Sequence, residues 1–274
     1  MDEAILSRKG ARKVQEVPPE ILDLLHQGTI ASVNLTEWLA INHQGLIKQT
    51  FPALGLEAVI PILIQKLGAQ RKPTAMSSTK IVGEYLYAFC VAQDSLMSTF
   101  KKLAVHSSDS IRCYAPYLVA RNEGWGIEEK LERSKNLVSD DHFGVREIVW
   151  MALRPAIEQN LTTAIEILTT WTTSPNENIR RFTTEATRPR GVWCKHIESL
   201  KARPEQALPI LNALKADPAK YVQDSVGNWL NDASKTSPAF VTDLCANWER
   251  TSASKNTQKI IKKAMRTIRK KQQK

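Results

Sequence analysis

The sequence lacks the features of a membrane protein and those of a disulfide-rich or metal-binding protein. No apolar run approaches the roughly 20 residues of a membrane-spanning helix, and the N-terminus has no apolar signal-peptide segment. The four cysteines are far apart and form no C-x-x-C pair, and Cys194 with His196 is the nearest approach to a pair of metal ligands. These absences predict a cytoplasmic protein with no membrane contact, no metal and no cofactor.

Acidic residues are missing from the last 20 positions, which carry nine lysines or arginines. The other 254 residues hold 29 basic and 28 acidic side chains, so most of the formal net charge of +10 comes from this basic C-terminal helix or tail. Such a tail suits a polyanionic partner, although a solvated terminus has the same composition. A second basic segment, residues 1–17, is bounded by Pro18 and Pro19 and is expected to be a loosely held N-terminal arm.

Strand patterns are missing as well, because no stretch sustains a period of two between hairpin turns. Helices are predicted over 20–27, 34–51, 57–67, 78–92 and 94–105. From residue 94 the helices form repeating pairs, and the second helix of each pair opens at Ile111, Val145, Ile179 or Val222. These openings are 34, 34 and 43 residues apart, and the insertion at 188–196 lengthens the last interval. The period predicts an all-α fold, an α-solenoid of HEAT-like repeats forming one domain over 18–274.

Three carboxylates occupy related positions on these second helices. Counted from the opening residue, Glu147 is at +2, Glu185 at +6 and Asp232 at +10, and steps of four residues stay near one helical face. Since the second helices of α-solenoids commonly line the concave surface, the acids are expected to face one concave groove. Carboxylates on a solvated face also serve solubility, so the pattern alone leaves both interpretations open.

The stretch 185–196, Glu-Ala-Thr-Arg-Pro-Arg-Gly-Val-Trp-Cys-Lys-His, interrupts the helical pattern. Its proline and glycine force a turn among Arg188, Arg190, Trp193 and Lys195. Cations hold phosphates and flat rings stack on bases, which favours a nucleic-acid surface. The alternative is a solvated turn in which Trp193 fills a gap between helices.

Four stretches carry a more specific signal. They are 9–12 with 34–40 (Asn-Leu-Thr-Glu-Trp-Leu-Ala), 145–155 (beginning Val-Arg-Glu-Ile-Val-Trp), 180–193, and 221–232 (ending Asn-Trp-Leu-Asn-Asp). Together they resemble the HEAT-repeat DNA glycosylases of the alkylation-repair superfamily, in particular the AlkC-like branch. Some relatives in that branch carry an added C-terminal immunoglobulin-like domain that grips DNA, whereas this sequence ends in a basic tail.

The resemblance implies hydrolysis of the N-glycosidic bond of cationic, N3- or N1-methylated bases in duplex DNA, without the usual flipping of the base. It implies Glu147, Glu185 and Asp232 as the catalytic acids. A cationic base leaves readily, so carboxylates are needed to stabilise the oxocarbenium-like sugar and to orient water. The predicted DNA contacts are Arg146, Arg154, Arg180, Arg181, Arg188, Arg190, Trp193, Lys195 and Trp229.

No lysine is expected beside the three acids, and a Schiff-base nucleophile is therefore not predicted. The sequence predicts a monofunctional, monomeric enzyme. The competing hypothesis is a non-catalytic HEAT-repeat scaffold that binds DNA or protein, because α-solenoids are interaction scaffolds more often than enzymes. Convergence of the acids in one basic groove would favour the enzyme.

Overall fold

The computed structural model describes residues 3–272, and the regular structure within this range is helical throughout. The chain divides into two compact units. One contains the described residues up to Gly124 together with Asp140–Ala152, and the other contains Trp125–Ser139 and the described residues from Leu153 onward. The single repeat domain predicted over 18–274 therefore stays a prediction. In the described range no helix is long and apolar enough to cross a bilayer.

The helices follow one another through short turns. In chain order they are α1 (Glu3–Leu6), α2 (Pro19–His26), α3 (Leu35–Ala40), α4 (His43–Leu54), α5 (Ile60–Gly68), α6 (Ala75–Ala92), α7 (Leu96–Ala104), α8 (Asp109–Arg112), α9 (Ala115–Ala120), α10 (Ile127–Val138), α11 (Phe143–Gln159), α12 (Leu161–Trp171), α13 (Glu177–Ala186), α14 (Glu198–Ala202), α15 (Leu208–Leu214), α16 (Lys220–Ala233), α17 (Pro238–Thr251), α18 (Lys255–Ala264) and α19 (Arg266–Gln272). Short 3-10 helices lie at Val14–Glu16, Glu57–Val59 and Pro204–Ala207.

Helix caps explain where the sequence prediction missed a boundary. The helix predicted over 34–51 is divided into α3 and α4, because Asn42 caps a new helix by accepting hydrogen bonds from the backbone N–H groups of Gln44 and Gly45. Asn34 caps α3 in the same way through Glu37 N, as predicted. Asparagine favours such positions because its side-chain oxygen satisfies N–H groups that the first helical turn leaves without partners.

The N-terminal segment is held against the first unit rather than loosely attached. The Arg8 guanidinium pairs with the buried carboxylate of Glu37 through Nε at 2.9 Å and Nη2 at 2.6 Å, and also donates to two backbone carbonyls. Asn34 Nδ2 donates to the Ala11 carbonyl at 2.9 Å. The prediction of a loose arm over 1–17 is therefore corrected for its described residues.

The repeat register is confirmed by burial along the second helices. Four residues after each opening position lie Ala115, Val149, Thr183 and Val226, and all four are completely buried. Small and β-branched side chains at this position let neighbouring helices approach closely. In the last pair, Ile260, Ala264 and Ile268 are buried while Lys262 is exposed and Lys263 half-buried.

The residue after each opening position closes the turn in front of its helix. Arg112, Arg146 and Arg180 each donate from Nη1 to the backbone carbonyls five and six residues earlier, at 2.6–3.1 Å. Gln223 does the same from Nε2, at 2.8 and 3.2 Å. The same contact at four aligned positions shows that this side chain belongs to the architecture of the repeat.

Two of these arginines also form an ion pair with an aspartate in the turn of the next repeat. Arg112 binds Asp140 through Nε and Nη2 at 2.8 and 3.1 Å, and Arg180 binds Asp217 through the same atoms at 2.7 and 3.1 Å. Arg146 and Arg180 were predicted to contact DNA. Their Nη1 groups serve the turn carbonyls, which is a structural role, and contact of these two residues with DNA stays a prediction.

We expect Arg180→Ala to lower the free energy of unfolding by about 2 kcal/mol, because the buried Asp217 loses its charged donor and two turn carbonyls lose their side-chain donor. Urea unfolding of folded protein measures this loss. The matched control is Arg250→Ala, since the exposed Arg250 donates only to the Asn247 side chain at 3.2 Å and its removal should change stability by less than about 0.5 kcal/mol. Equal losses in both variants would contradict the assigned role.

Candidate active site

The loop between α13 and α14 is anchored by a buried arginine. Arg154, at the start of the second unit, donates to the backbone carbonyls of Ala186 at 3.2 Å, Lys195 at 2.8 Å and Arg188. Arg154 is only 3% exposed. Gly191 lies against this guanidinium, and an added Cβ there would come within 3.1 Å of Arg154 Cζ and 2.2 Å of Cys194 Sγ. Arg154 therefore shapes the loop from within, which corrects its prediction as a DNA contact.

Arg188 joins the two predicted carboxylates of the second unit. Its Nη1 donates to Glu185 Oε2 at 3.2 Å, while Nε and Nη2 donate to Asp232 Oδ2 at 3.0 and 2.6 Å. Glu185 lies on the last turn of α13 and Asp232 on the last turn of α16, so the guanidinium bridges two neighbouring helices. Arg188 thus forms an ion pair with both acids, and its phosphate contact stays a prediction.

Further side chains complete the surroundings of this carboxylate pair. Ser225 Oγ donates to Glu185 Oε1 at 2.7 Å and lies 2.6 Å from Thr184 Oγ1. Arg181 Nη2 is 3.4 Å from Glu185 Oε1, and its guanidinium stacks over the Tyr221 ring at 4.2 Å. These contacts fix Glu185 by one neutral and two cationic donors.

A lysine also lies beside the pair, contrary to the sequence prediction. Lys235 Nζ donates to Asp232 Oδ1 at 2.7 Å, and its side chain is 41% exposed. Its spacing of three residues from Asp232, at the end of a helix, is a signal that the sequence contains. Ser225 was missed too, because nothing in the sequence distinguishes a serine that faces a carboxylate from one that faces a neighbouring helix.

The electrostatics of the site are those of a partly neutralised anion pair. Burial opposes the charge of Arg188, but Glu185 and Asp232 outweigh this effect and raise the pKa of its guanidinium. Arg188 therefore stays charged across the working pH range. The two acids are 3% and 4% exposed, so they reach the surface only at their edge.

The exposed part of the loop carries the remaining predicted contacts. Trp193 is 61% exposed, and its backbone has a φ of +59°, a left-handed conformation that is strained for a tryptophan. Lys195 is exposed as well, whereas Arg190 is half-buried and its Nε has no hydrogen-bond partner among the described residues. DNA contact by these three residues, and by Arg181, stays a prediction.

Two further predicted residues differ in outcome. Trp229 is completely buried and donates from Nε1 to the Thr187 carbonyl at 2.9 Å, so its prediction as a DNA contact is wrong. Glu147 lies in the first unit, half-buried, and accepts a hydrogen bond from Trp150 Nε1 at 2.9 Å. Its catalytic role stays a prediction. Within residues 3–272 no group of three or more histidine, cysteine or acidic side chains could hold a metal ion.

A protein family matches the part of the chain that contains this site. The family is described as "DNA alkylation repair enzyme", and it matches residues 147–268. Residues 147–268 are therefore similar to that family. The match includes the motifs at 180–193 and 221–232, and it confirms the alkylation-repair family that those motifs predicted.

Known proteins extend the similarity to most of the chain. The uncharacterized protein YhaZ of Bacillus subtilis is 35% identical over 185 residues, which are 65% of this chain, and the chain spans half the length of that relative. The structure resembles the alkylpurine DNA glycosylase AlkC of Pseudomonas fluorescens, solved bound to DNA containing an abasic-site analogue. That likeness has a TM-score of 0.64 and 21% identity over 94% of this chain and 65% of the other.

A second solved structure has a related fold. AlkD2 of Streptococcus mutans has a TM-score of 0.58 and 22% identity over 76% of this chain and 97% of its own. At these identities the likeness concerns the fold, and it confirms the predicted all-α, HEAT-like helical-repeat class.

We expect Arg188→Met to lower the free energy of unfolding by about 3 kcal/mol at pH 7, because two nearly buried carboxylates lose a shared donor. Lys235→Met is the matched control, since Lys235 contacts the same Asp232 but from an exposed position. Its loss should stay below about 1 kcal/mol. Urea unfolding of both variants measures the difference, and equal losses would contradict Arg188 as the bridge.

Proposed function

We propose that this chain is a DNA glycosylase that hydrolyses the N-glycosidic bond of alkylated, positively charged bases in duplex DNA. The observation that supports it most is the carboxylate pair of Glu185 and Asp232, which Arg188 holds together inside the region matched by the alkylation-repair family. The likeness to the AlkC alkylpurine DNA glycosylase agrees with the AlkC-like branch as the source of the activity.

Two ionised carboxylates suit the reaction because its barrier lies in the sugar. A base that already carries positive charge leaves without a general acid, and positive charge then develops on the deoxyribose. Asp232 Oδ1 accepts a hydrogen bond from Lys235 and Glu185 Oε2 accepts one from Arg188, and a carboxylate oxygen has a second lone-pair direction that can serve water or sugar. We assign the sugar and water roles to these two acids and an assisting role to Glu147.

The contacts of Lys235 support a monofunctional enzyme. A lysine that cleaves the DNA strand must attack C1′ of the sugar as a neutral amine. Lys235 Nζ instead donates a hydrogen bond to Asp232 Oδ1 at 2.7 Å, so this contact directs the lysine at the carboxylate. In this proposal Lys235 orients Asp232 and takes no covalent part, and the enzyme acts as a monomer in the cytoplasm.

Trp193 supports contact with DNA at the same loop. Trp193 lowers the stability of the fold in two ways. Its backbone conformation is strained, and its apolar ring is exposed to water. A deoxyribose or base that packs on the ring would offset the second loss. Exposed Lys195, two residues later, would contact the neighbouring phosphate.

The competing proposal is a non-catalytic DNA-binding scaffold, for which the paired acids only join α13 to α16. Under that proposal the loss of either charge changes stability and leaves base release absent or unaltered. The two proposals therefore differ in the expected rate of base release and not in the expected affinity for DNA.

We expect Glu185→Gln and Asp232→Asn to slow single-turnover base release by about 10²–10³ each, because a well-placed charge of this kind contributes that much to a rate. DNA affinity should hold or rise slightly, since a negative charge near phosphates is removed. The substrate is duplex DNA treated with a methylating agent.

Glu198→Gln is the matched control, because Glu198 is also paired with a lysine three residues away but is exposed. It should release bases at the wild-type rate. Wild-type rates from both site variants would reject the assigned acids, and a wild-type protein that releases no methylated base would reject the function itself.

A further inference from the structure

The last two helices form a strongly cationic cleft. It has a volume of about 470 Å³ and is lined by Asp224 and by six cationic side chains, Lys259, Lys262, Lys263, Arg266, Arg269 and Lys270. The acid comes from α16, because residues 255–272 contain neither aspartate nor glutamate. This concentration of one charge sign distinguishes the face from the rest of the chain, where basic and acidic residues nearly balance.

A like-charged face is unfavourable unless an anion covers it. Residues 259, 262, 263, 266, 269 and 270 recur at intervals of three and four, so the cations repel one another along α18 and α19. The opposite, apolar side of the two helices is buried through Ile260, Ala264 and Ile268. A surface that served solubility alone would carry both signs.

We propose that this cleft binds the phosphate backbone of duplex DNA. The proposal rests on the function proposed above and adds a binding surface to it. Double-stranded DNA carries one negative charge per roughly 1.7 Å of its axis, which matches a row of closely spaced cations.

The lining favours duplex DNA over other polyanions. It contains no aromatic side chain on which the bases of a single strand could stack. It also contains no exposed apolar side chain that could enter a lipid surface, since the apolar stripe of α18 and α19 is buried. Most of the arginines predicted for DNA donate instead to carbonyls and carboxylates of the protein, which leaves phosphate binding to exposed cations such as these.

Helix α16 connects the cleft to the carboxylate pair. Asn231 Oδ1 accepts hydrogen bonds from Thr267 N at 3.1 Å and Thr267 Oγ1 at 2.9 Å, at the start of α19. Gly227 lies against α18 so closely that an added Cβ would come within 2.8 Å of Lys263 Cβ. Asp232 follows Asn231 directly, so the packing that fixes the cleft also fixes one of the two acids.

The distance between the two sites suits one bound duplex. Asp224 and Asp232 are eight residues apart on α16, which corresponds to about 12 Å along its axis and about 80° around it. Phosphates held in the cleft would therefore lie a few nucleotides from a sugar at Asp232. The cleft orients the duplex and touches no reacting atom.

Asp224 limits the affinity of the cleft. It accepts hydrogen bonds from Lys263 at 2.7 Å and Lys220 at 2.5 Å. Burial opposes the charge of Asp224, but these two donors outweigh it and lower the pKa of the carboxyl. The group is therefore ionised at neutral pH and holds Lys263 away from an incoming phosphate.

The test reverses two cations that the fold does not need. The side chains of Lys262 and Arg266 are exposed, and neither forms a hydrogen bond or ion pair with the described residues. For Lys262→Glu/Arg266→Glu we expect at least a tenfold loss of affinity for undamaged duplex, measured by fluorescence anisotropy between 50 and 200 mM salt. The slope of log affinity against log salt should become shallower by about two, since each lost phosphate contact removes about 0.9.

Two controls accompany this variant. Lys48→Glu/Lys101→Glu changes the net charge equally at exposed lysines of the first unit, and it should alter the slope by less than half as much. Lys262→Gln/Arg266→Gln repeats the test without added negative charge and should give a smaller loss of the same kind. Asp224→Asn should tighten binding several-fold, because Lys263 is released.

The outcomes separate this inference from the proposed function. The slope is measured on undamaged DNA, so it does not depend on excision. A lower slope with no base release by the wild type would support the cleft and reject the glycosylase. An unchanged slope in a protein that does release bases, an equal effect of the control lysines, or tighter binding to single strands or anionic vesicles than to duplex would overturn the cleft.

Discussion

Guanidinium groups that donate to backbone carbonyls hold both the repeats and the site loop of this protein. In the repeats, Arg112, Arg146 and Arg180 each bind the two carbonyls that begin the preceding turn. Arg154 donates to three backbone carbonyls at the two ends of the site loop, those of Ala186 and Arg188 at its start and that of Lys195 at its end. Arginine suits this task because its planar fork donates in several directions while staying charged. Without these contacts the turn carbonyls would lose the side-chain donors that order them.

The same side chain type then positions the acids. Arg154 donates to the Arg188 carbonyl and Trp229 donates to the Thr187 carbonyl, so both contacts hold the backbone from which Arg188 bridges Glu185 and Asp232. The bridge keeps two negative charges close together despite their mutual repulsion. In the glycosylase that we propose, the nearly buried position of the pair would strengthen its field at the sugar relative to water.

Much of the fold was predictable because it depends on periodic patterns. The openings at Ile111, Val145, Ile179 and Val222 gave the correct repeat register, and the asparagine cap of α3 was found from its residue type. The division of 34–51 into two helices was not predictable, because the sequence around Asn42 is equally compatible with a surface residue inside one helix.

The candidate site was predictable in part for a related reason. The spacing of Glu185 and Asp232 indicated neighbouring helix faces, and the structure joins them through Arg188. The partners of long side chains were not predictable, because an arginine reaches a phosphate in solvent or a carbonyl of its own chain from the same sequence position. Burial of Trp229 and the contact of Lys235 with Asp232 are likewise set by tertiary packing.

The most direct test of the carboxylate pair is a double-mutant cycle on the single-turnover rate of methylated-base release. It compares the wild type, Glu185→Gln, Asp232→Asn and the protein with both changes on one methylated duplex. Since Arg188 binds both acids, we expect the double variant to be within about tenfold of the slower single variant, as for residues that act as a unit. A double variant whose loss equals the product of the two single losses would contradict the pair as one site.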